Sequence, residues 1–155
     1  PQGVPVNRTA RSAGVLEGAM DPAYRLRVEG NVVTPLELSL DDLHALPLRE
    51  AVLPITCVDG WSATANWRGV PVRDLLSMAG APDRAEAEVV SLQAPGSAYA
   101  SSELNAAHAA DPDTLLALEL NGELLDVDHG FPVRLIAPNR PGVMQTKWVT
   151  AVVVR

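Results

Sequence analysis

Leu115-Leu-Ala-Leu-Glu-Leu120 and Glu123-Leu-Leu125 are separated only by Asn121-Gly122, and nothing else in the chain restricts its fold so tightly. A two-residue link between apolar runs closes a β-hairpin when both residues accept positive φ, and Asn-Gly does so readily. Antiparallel pairing is therefore expected here. The other apolar runs are as short. Tyr24-Arg-Leu-Arg-Val-Glu-Gly30 alternates apolar and polar residues, as a half-buried strand does. Leu36–Ser39, Val89–Leu92, Val133–Ala137 and Trp148–Val154 read as further strands. Ala51–Cys57 is an apolar run broken by Pro54, which suits a sheet edge or a bulge.

Helical signals are few and brief. Ser39 precedes Asp42 by three residues, and Leu40, Leu43 and Leu46 follow at helical spacing, so a capped helix is expected. Trp67-Arg-Gly-Val-Pro71 is expected to turn the chain into a second helix. Pro71 suits its first turn, Val72, Leu75, Leu76 and Ala79 form its apolar face, and Gly80 ends it. Ser101 or Ser102 is expected to cap a third, short helix through Ala107. Residues 1–21 show no period. The expected organisation is an extended arm over residues 1–23 and one domain over residues 24–155. Many short strands with a few short helices predict an α+β fold.

At 155 residues, 47% apolar and 20% charged, the chain can bury a core and is not of disordered composition. No apolar run approaches the ~20 residues of a membrane-spanning helix. The chain opens on Pro1 rather than Met, which fits a segment cut from something longer. Its net charge of −7 argues against nucleic acid as a partner. That charge is segregated: all 19 acids lie in residues 1–128, and Arg134, Arg140, Lys147 and Arg155 occupy an acid-free tail from His129 onward. Two explanations stand side by side: an anion held by the tail, or strand composition, since strands are poor in Asp and Glu.

Cys57 is the single cysteine, so no internal disulfide can form. Taken alone, it is a small buried hydrophobe, a ligand or a nucleophile. Gly60-Trp-Ser-Ala-Thr64 misses the G-x-S-x-G nucleophile elbow at its last position. One Cys with scattered His44, His108 and His129 matches no zinc spacing, and no glycine-rich nucleotide cradle occurs. A better fit joins Cys57, followed by the turn Val58-Asp-Gly60, to the late segments Asp128–Arg134, Asn139-Arg-Pro-Gly142 and Gln145-Thr-Lys-Trp148. A soft thiolate suits a heavy transition metal. The glycines, cations and amide or hydroxyl donors suit a polyanionic ligand such as a pterin phosphate.

Three of these segments, Cys57-Val-Asp-Gly-Trp-Ser62, Trp67-Arg-Gly-Val-Pro71 and His129-Gly-Phe-Pro-Val-Arg134 with Lys147-Trp148, follow one another as they do in the sulfite oxidase family. From Tyr24 to Arg155 the chain resembles that family, and within it the bacterial branch of methionine sulfoxide reductase catalytic subunits. The resemblance implies an α+β, sulfite-oxidase-type fold around a mononuclear molybdenum held by molybdopterin. It implies that Cys57 ligates the metal and that Asp59 stands near it. By the same resemblance Asn7, His129, Arg134, Gln145, Thr146 and Lys147 bind the cofactor. It implies oxygen-atom transfer or related two-electron chemistry on a small-molecule substrate. It also implies an extracytoplasmic location and an electron-transfer partner such as a haem-bearing membrane domain, since the chain carries no haem or iron–sulfur motif. The acid at Asp59, with no cation between Val58 and Ser62, disfavours sulfite itself. Met144, where relatives often carry a cation, keeps a second class open: a cofactor-free extracellular binding or structural module of the same fold.

Overall fold

The computed structural model describes residues 2–6, 8–56, 62–97, 99–138 and 145–155. The Asn-Gly hairpin forms as expected. β7 (Leu115–Leu120) and β8 (Glu123–Leu124) pair antiparallel across Asn121 and Gly122, whose φ angles are 52° and 85°. β7 organises one sheet. It pairs with β4 (Ser62–Pro71), and it pairs with β9 (Arg134–Ile136) through Leu115–Ala117. β3 (Arg49–Thr56) lies outside β4 at the sheet edge, the position in which a strand proline such as Pro54 is tolerated.

The other sheet runs in the order β2 (Leu36–Leu38), β1 (Leu26–Gly30), β10 (Val149–Val154), β5 (Ala87–Ser91), β6 (Ser101–Leu104). β1 and β10 are parallel and the remaining neighbours antiparallel, so the fold is α+β with one mixed sheet. The main core lies between the sheets. Leu26, Val28, Val89 and Val152 meet Leu116 and Leu118 of β7 and the apolar face of α4 (Val72–Ala79). Alternation along β7 sends Leu115 and Ala117 to the other side, where they join Ala65, Trp67 and Ile136.

Two helix expectations hold in detail. α3 (Leu40–Ala45) starts on a reciprocal capping box between Ser39 and Asp42, and α4 ends on Gly80 in the left-handed region. Three local expectations are corrected. Residues 10–20 are not extended: α1 (Ala10–Ala13) and α2 (Leu16–Met20) bury Ala10, Val15 and Ala19 against Trp148. Ser101 and Ser102 lie in β6, and the helix α5 (Ala106–Ala110) is capped instead by the Asn105 side chain, which accepts from the His108 N–H. Trp67–Pro71 is the end of strand β4 rather than a turn.

Candidate functional site

β9 is reached through a short, tightly pinned segment. The Asp126 carboxylate accepts from the Asp128 N–H at 2.8 Å and starts the 3-10 turn η1 (Val127–His129). Gly130 follows with φ 119°, then a cis Phe131–Pro132 bond, then Arg134. The Arg134 side chain folds back so that Nη1 donates to the His129 carbonyl at 3.2 Å. Gly130 is the hinge of this arrangement. A Cβ there would stand 2.9 Å from Cβ of Arg134 and 3.3 Å from Cβ of Lys147, so only glycine lets both cationic stems approach the same point.

Lys147 arrives from the residues just before β10. Its Nζ donates to the carbonyls of Arg8 (2.6 Å) and Asp128 (2.9 Å). An ammonium has three donors, and these two carbonyls take two of them. Trp148 donates its indole N–H to the Val127 carbonyl at 2.7 Å, which ties the Lys147–Trp148 pair to η1. Each cation lies over an indole ring: Cζ of Arg134 is 5.0 Å from the Trp67 centroid, and Nζ of Lys147 is 4.6 Å from that of Trp148.

The electrostatics are lopsided. Arg134 is 9% exposed, its Nε is buried without a hydrogen-bond partner, and no described carboxylate forms a salt bridge with it or with Lys147. Burial pulls the Arg134 pKa down to about 10. Burial, then the positive charge of Arg134, pulls Lys147 down to about 8. The charge of Asp128 opposes that shift and that of Arg8 adds to it. The Asp128 carboxylate is directed elsewhere, accepting the Ala10 N–H at 2.8 Å.

Of the residues named from sequence, the structure groups His129, Arg134 and Lys147 around Gly130; His129 is buried. Thr146 is also buried, and its hydroxyl shares a 2.5 Å hydrogen bond with Ser102. Gln145 donates its side-chain amide to the Ala137 carbonyl at 3.0 Å. Asn7, Cys57 and Asp59 lie outside the described residues, as do Arg140 and Met144. Among the described residues no group of three or more His, Cys, Asp or Glu side chains could hold a metal ion. Sequence reasoning missed Gly130, Asp128 and Arg8 as supports of the cations, and gave Trp67 and Trp148 no part in holding them. The adjacency of Lys147 and Trp148 was a signal for one of these stacks; nothing local marked the other, since Trp67 and Arg134 come from distant parts of the chain.

Fold and site together define an α+β domain in which a buried Arg134 and a half-buried Lys147 form no described salt bridge. The chain belongs to the oxidoreductase molybdopterin-binding domain family, whose model matches residues 13–155. It is 36% identical over 132 residues to a putative protein-methionine-sulfoxide reductase subunit of Azospira oryzae, covering 85% of this chain and 49% of that one. It is 36% identical over 158 residues to mitochondrial sulfite oxidase of Rattus norvegicus, covering 84% and 29% respectively. Sulfane dehydrogenase SoxCD from Paracoccus pantotrophus has a similar structure, with a TM-score of 0.76, 26% identity, and coverage of 86% of this chain and 38% of that one. The chain thus spans about half of the first of these relatives and less than two fifths of the others.

Proposed function

We propose that this chain is the catalytic domain of a molybdenum-dependent oxidoreductase that binds Mo-molybdopterin and acts on a small substrate. The observation that carries the reading is the pair of a buried Arg134 and a half-buried Lys147, neither in a described salt bridge. Two cations brought together at one glycine, one with an orphaned donor, fit an oxyanion such as the phosphate of a phosphorylated ligand. The donor set therefore suits the cofactor that the family binds. Arg134 and Lys147 would hold its phosphate, with His129, Gln145, Thr146 and Asn7 contributing around the pterin. Cys57 would supply a thiolate to the metal, and Asp59 would tune protonation beside it. When bound, the cofactor supplies two-electron redox chemistry with transfer of an oxygen atom to or from the substrate. Relatives named for sulfite and for methionine sulfoxide support chemistry at sulfur–oxygen bonds.

The chain's own contribution is to place charge and exclude water. Arg134 and Lys147 present positive potential inside a buried wall, where it acts more strongly than at a surface. Electrons come from a separate partner, and we infer a haem-bearing membrane domain on an extracytoplasmic face. No helix among the described residues is itself long and apolar enough to cross a membrane.

The test is elemental and enzymatic. Protein made in a host that synthesises and inserts the cofactor should contain molybdenum close to one per chain. Cys57→Ser should keep the fold and lose redox activity. Full activity in that variant removes the ligand assignment. Absence of molybdenum from the parent protein favours the cofactor-free module instead.

A further inference from the structure

The site's two cations are held in an unusual way. A buried Arg or Lys is ordinarily matched by a carboxylate. Here the described salt bridges involve neither Arg134 nor Lys147, and each cation lies over a tryptophan. Both rings are fully buried and fixed. Trp67 sits in β4 between Ala51 of β3 and Leu120 of β7. Trp148 is anchored through its indole N–H to Val127. Hydrogen bonding alone does not account for the placement of the cations. Arg134 gives one side-chain bond to a carbonyl and leaves Nε unpartnered, and Lys147 gives two.

An indole face and a carboxylate both attract a cation, with one difference. The carboxylate cancels the charge seen by a third group; the ring quadrupole attracts at short range and carries no net charge. We propose that Trp67 and Trp148 are positioning residues of the site: their faces hold Arg134 and Lys147 in place without neutralising them, so the pair keeps its attraction for an oxyanion. The role rests on the anion-binding reading above and adds to it the means by which the positive field is preserved. Asp128 fits the same pattern, because its carboxylate is turned to the Ala10 N–H while only its carbonyl meets Lys147.

Fluorination of the rings tests this, since fluorine withdraws π density with little change in shape. The full chain, carrying Trp61→Phe so that only Trp67 and Trp148 are labelled, is grown with ordinary, monofluorinated or trifluorinated tryptophan. NMR follows the Lys147 side-chain titration and the uptake of inorganic phosphate at about pH 6.5, below the Lys147 midpoint. The groups acting on that titration are Arg134 from β9, Asp128 from η1 and Arg8 from the N-terminal segment, all unaltered. The expected result is a graded one. The Lys147 midpoint falls by about half a unit in the trifluorinated chain, and phosphate affinity falls about threefold or more, with the monofluorinated chain between. A purely structural ring would move neither in step with fluorination. Identical titrations and affinities across the series overturn the proposal. A chain with ordinary tryptophan that takes up no phosphate overturns the anion-binding reading and this role with it. The two failures are distinct, because the first is seen only when phosphate binds.

Discussion

Replacing Arg134 with methionine in the cofactor-free chain should leave its stability nearly unchanged, which is not what removal of a buried charge ordinarily does. Burial lowers the guanidinium pKa from its ordinary value to about 10, and at ~1.4 kcal/mol per unit the folded chain carries a penalty of about 3 kcal/mol for keeping the charge. Methionine removes that penalty. Against it stand the bond to the His129 carbonyl, worth about 1.5 kcal/mol for a charged donor, and the stack on Trp67, worth about 1–2 kcal/mol. These terms nearly cancel, and apolar burial of the methionine tips the balance towards stability by about 1 kcal/mol. For a domain of this size each kcal/mol moves the unfolding midpoint by about 2–4 °C. Calorimetry should therefore find the variant within about 4 °C of the parent, or above it. With inorganic phosphate added, the parent midpoint should rise and that of the variant should not. Breaking a true buried ion pair costs about 3–5 kcal/mol, so a fall of 10 °C or so without phosphate would show that Arg134 is a structural ion and refute the reasoning.

Lys147 gives a pH signature with a definite sign. Its pKa is lowered from 10.5 to about 8, so between those values the unfolded chain binds more protons and stability rises with pH. Because the group is partly exposed, screening reduces the rise to about 1 kcal/mol; urea unfolding across that window should show it, and Lys147→Met should flatten it. Phosphate affinity should run the other way, falling as pH passes about 8 and the ammonium is lost. Gly130→Ala places a methyl 2.9 Å from Cβ of Arg134 at φ 119° and should cost about 1–3 kcal/mol together with phosphate binding. Gly14→Ala, at φ 73° with nothing within 4 Å, is the matched control: strain without loss of phosphate in the same titration.

What could be read from the sequence follows from how local each cause is. The hairpin needs two residues with positive φ, and Asn121-Gly122 declares them. The capping box of α3 and the Gly80 end of α4 are also written within a few neighbouring residues. α1 and α2 span four and five residues, too few for a period to show, and they are held by packing on Trp148 from the far end of the chain. β4 was misread at Gly69 because glycine commonly marks a turn. The ladder between β4 and β7 shifts register there, and an added Cβ would overlap the Leu116 carbonyl, so this glycine permits two strands to approach. At the site, resemblance singled out Arg134 and Lys147, and the acid-free tail hinted at them. Their proximity is different in kind. It depends on Gly130, on a carbonyl of η1 and on the carbonyl of Arg8, which no spacing rule connects.

The same geometry explains why the charge segregation in the sequence has a physical use. Had an Asp or Glu stood beside Arg134 in β9 or Lys147 before β10, the low-dielectric wall would have favoured an internal ion pair, and an incoming anion would have had to displace it. An acid-free tail removes that competitor. Carbonyls and indole faces then perform the holding, each weaker than a carboxylate and none of them charged. The cost is borne by the cofactor-free fold, as the lowered pKa values of both cations record. An anion entering the site offsets that cost, so binding and stability are linked: any ligand that fills the site should stabilise the chain by an amount that grows with the logarithm of its free concentration over its Kd.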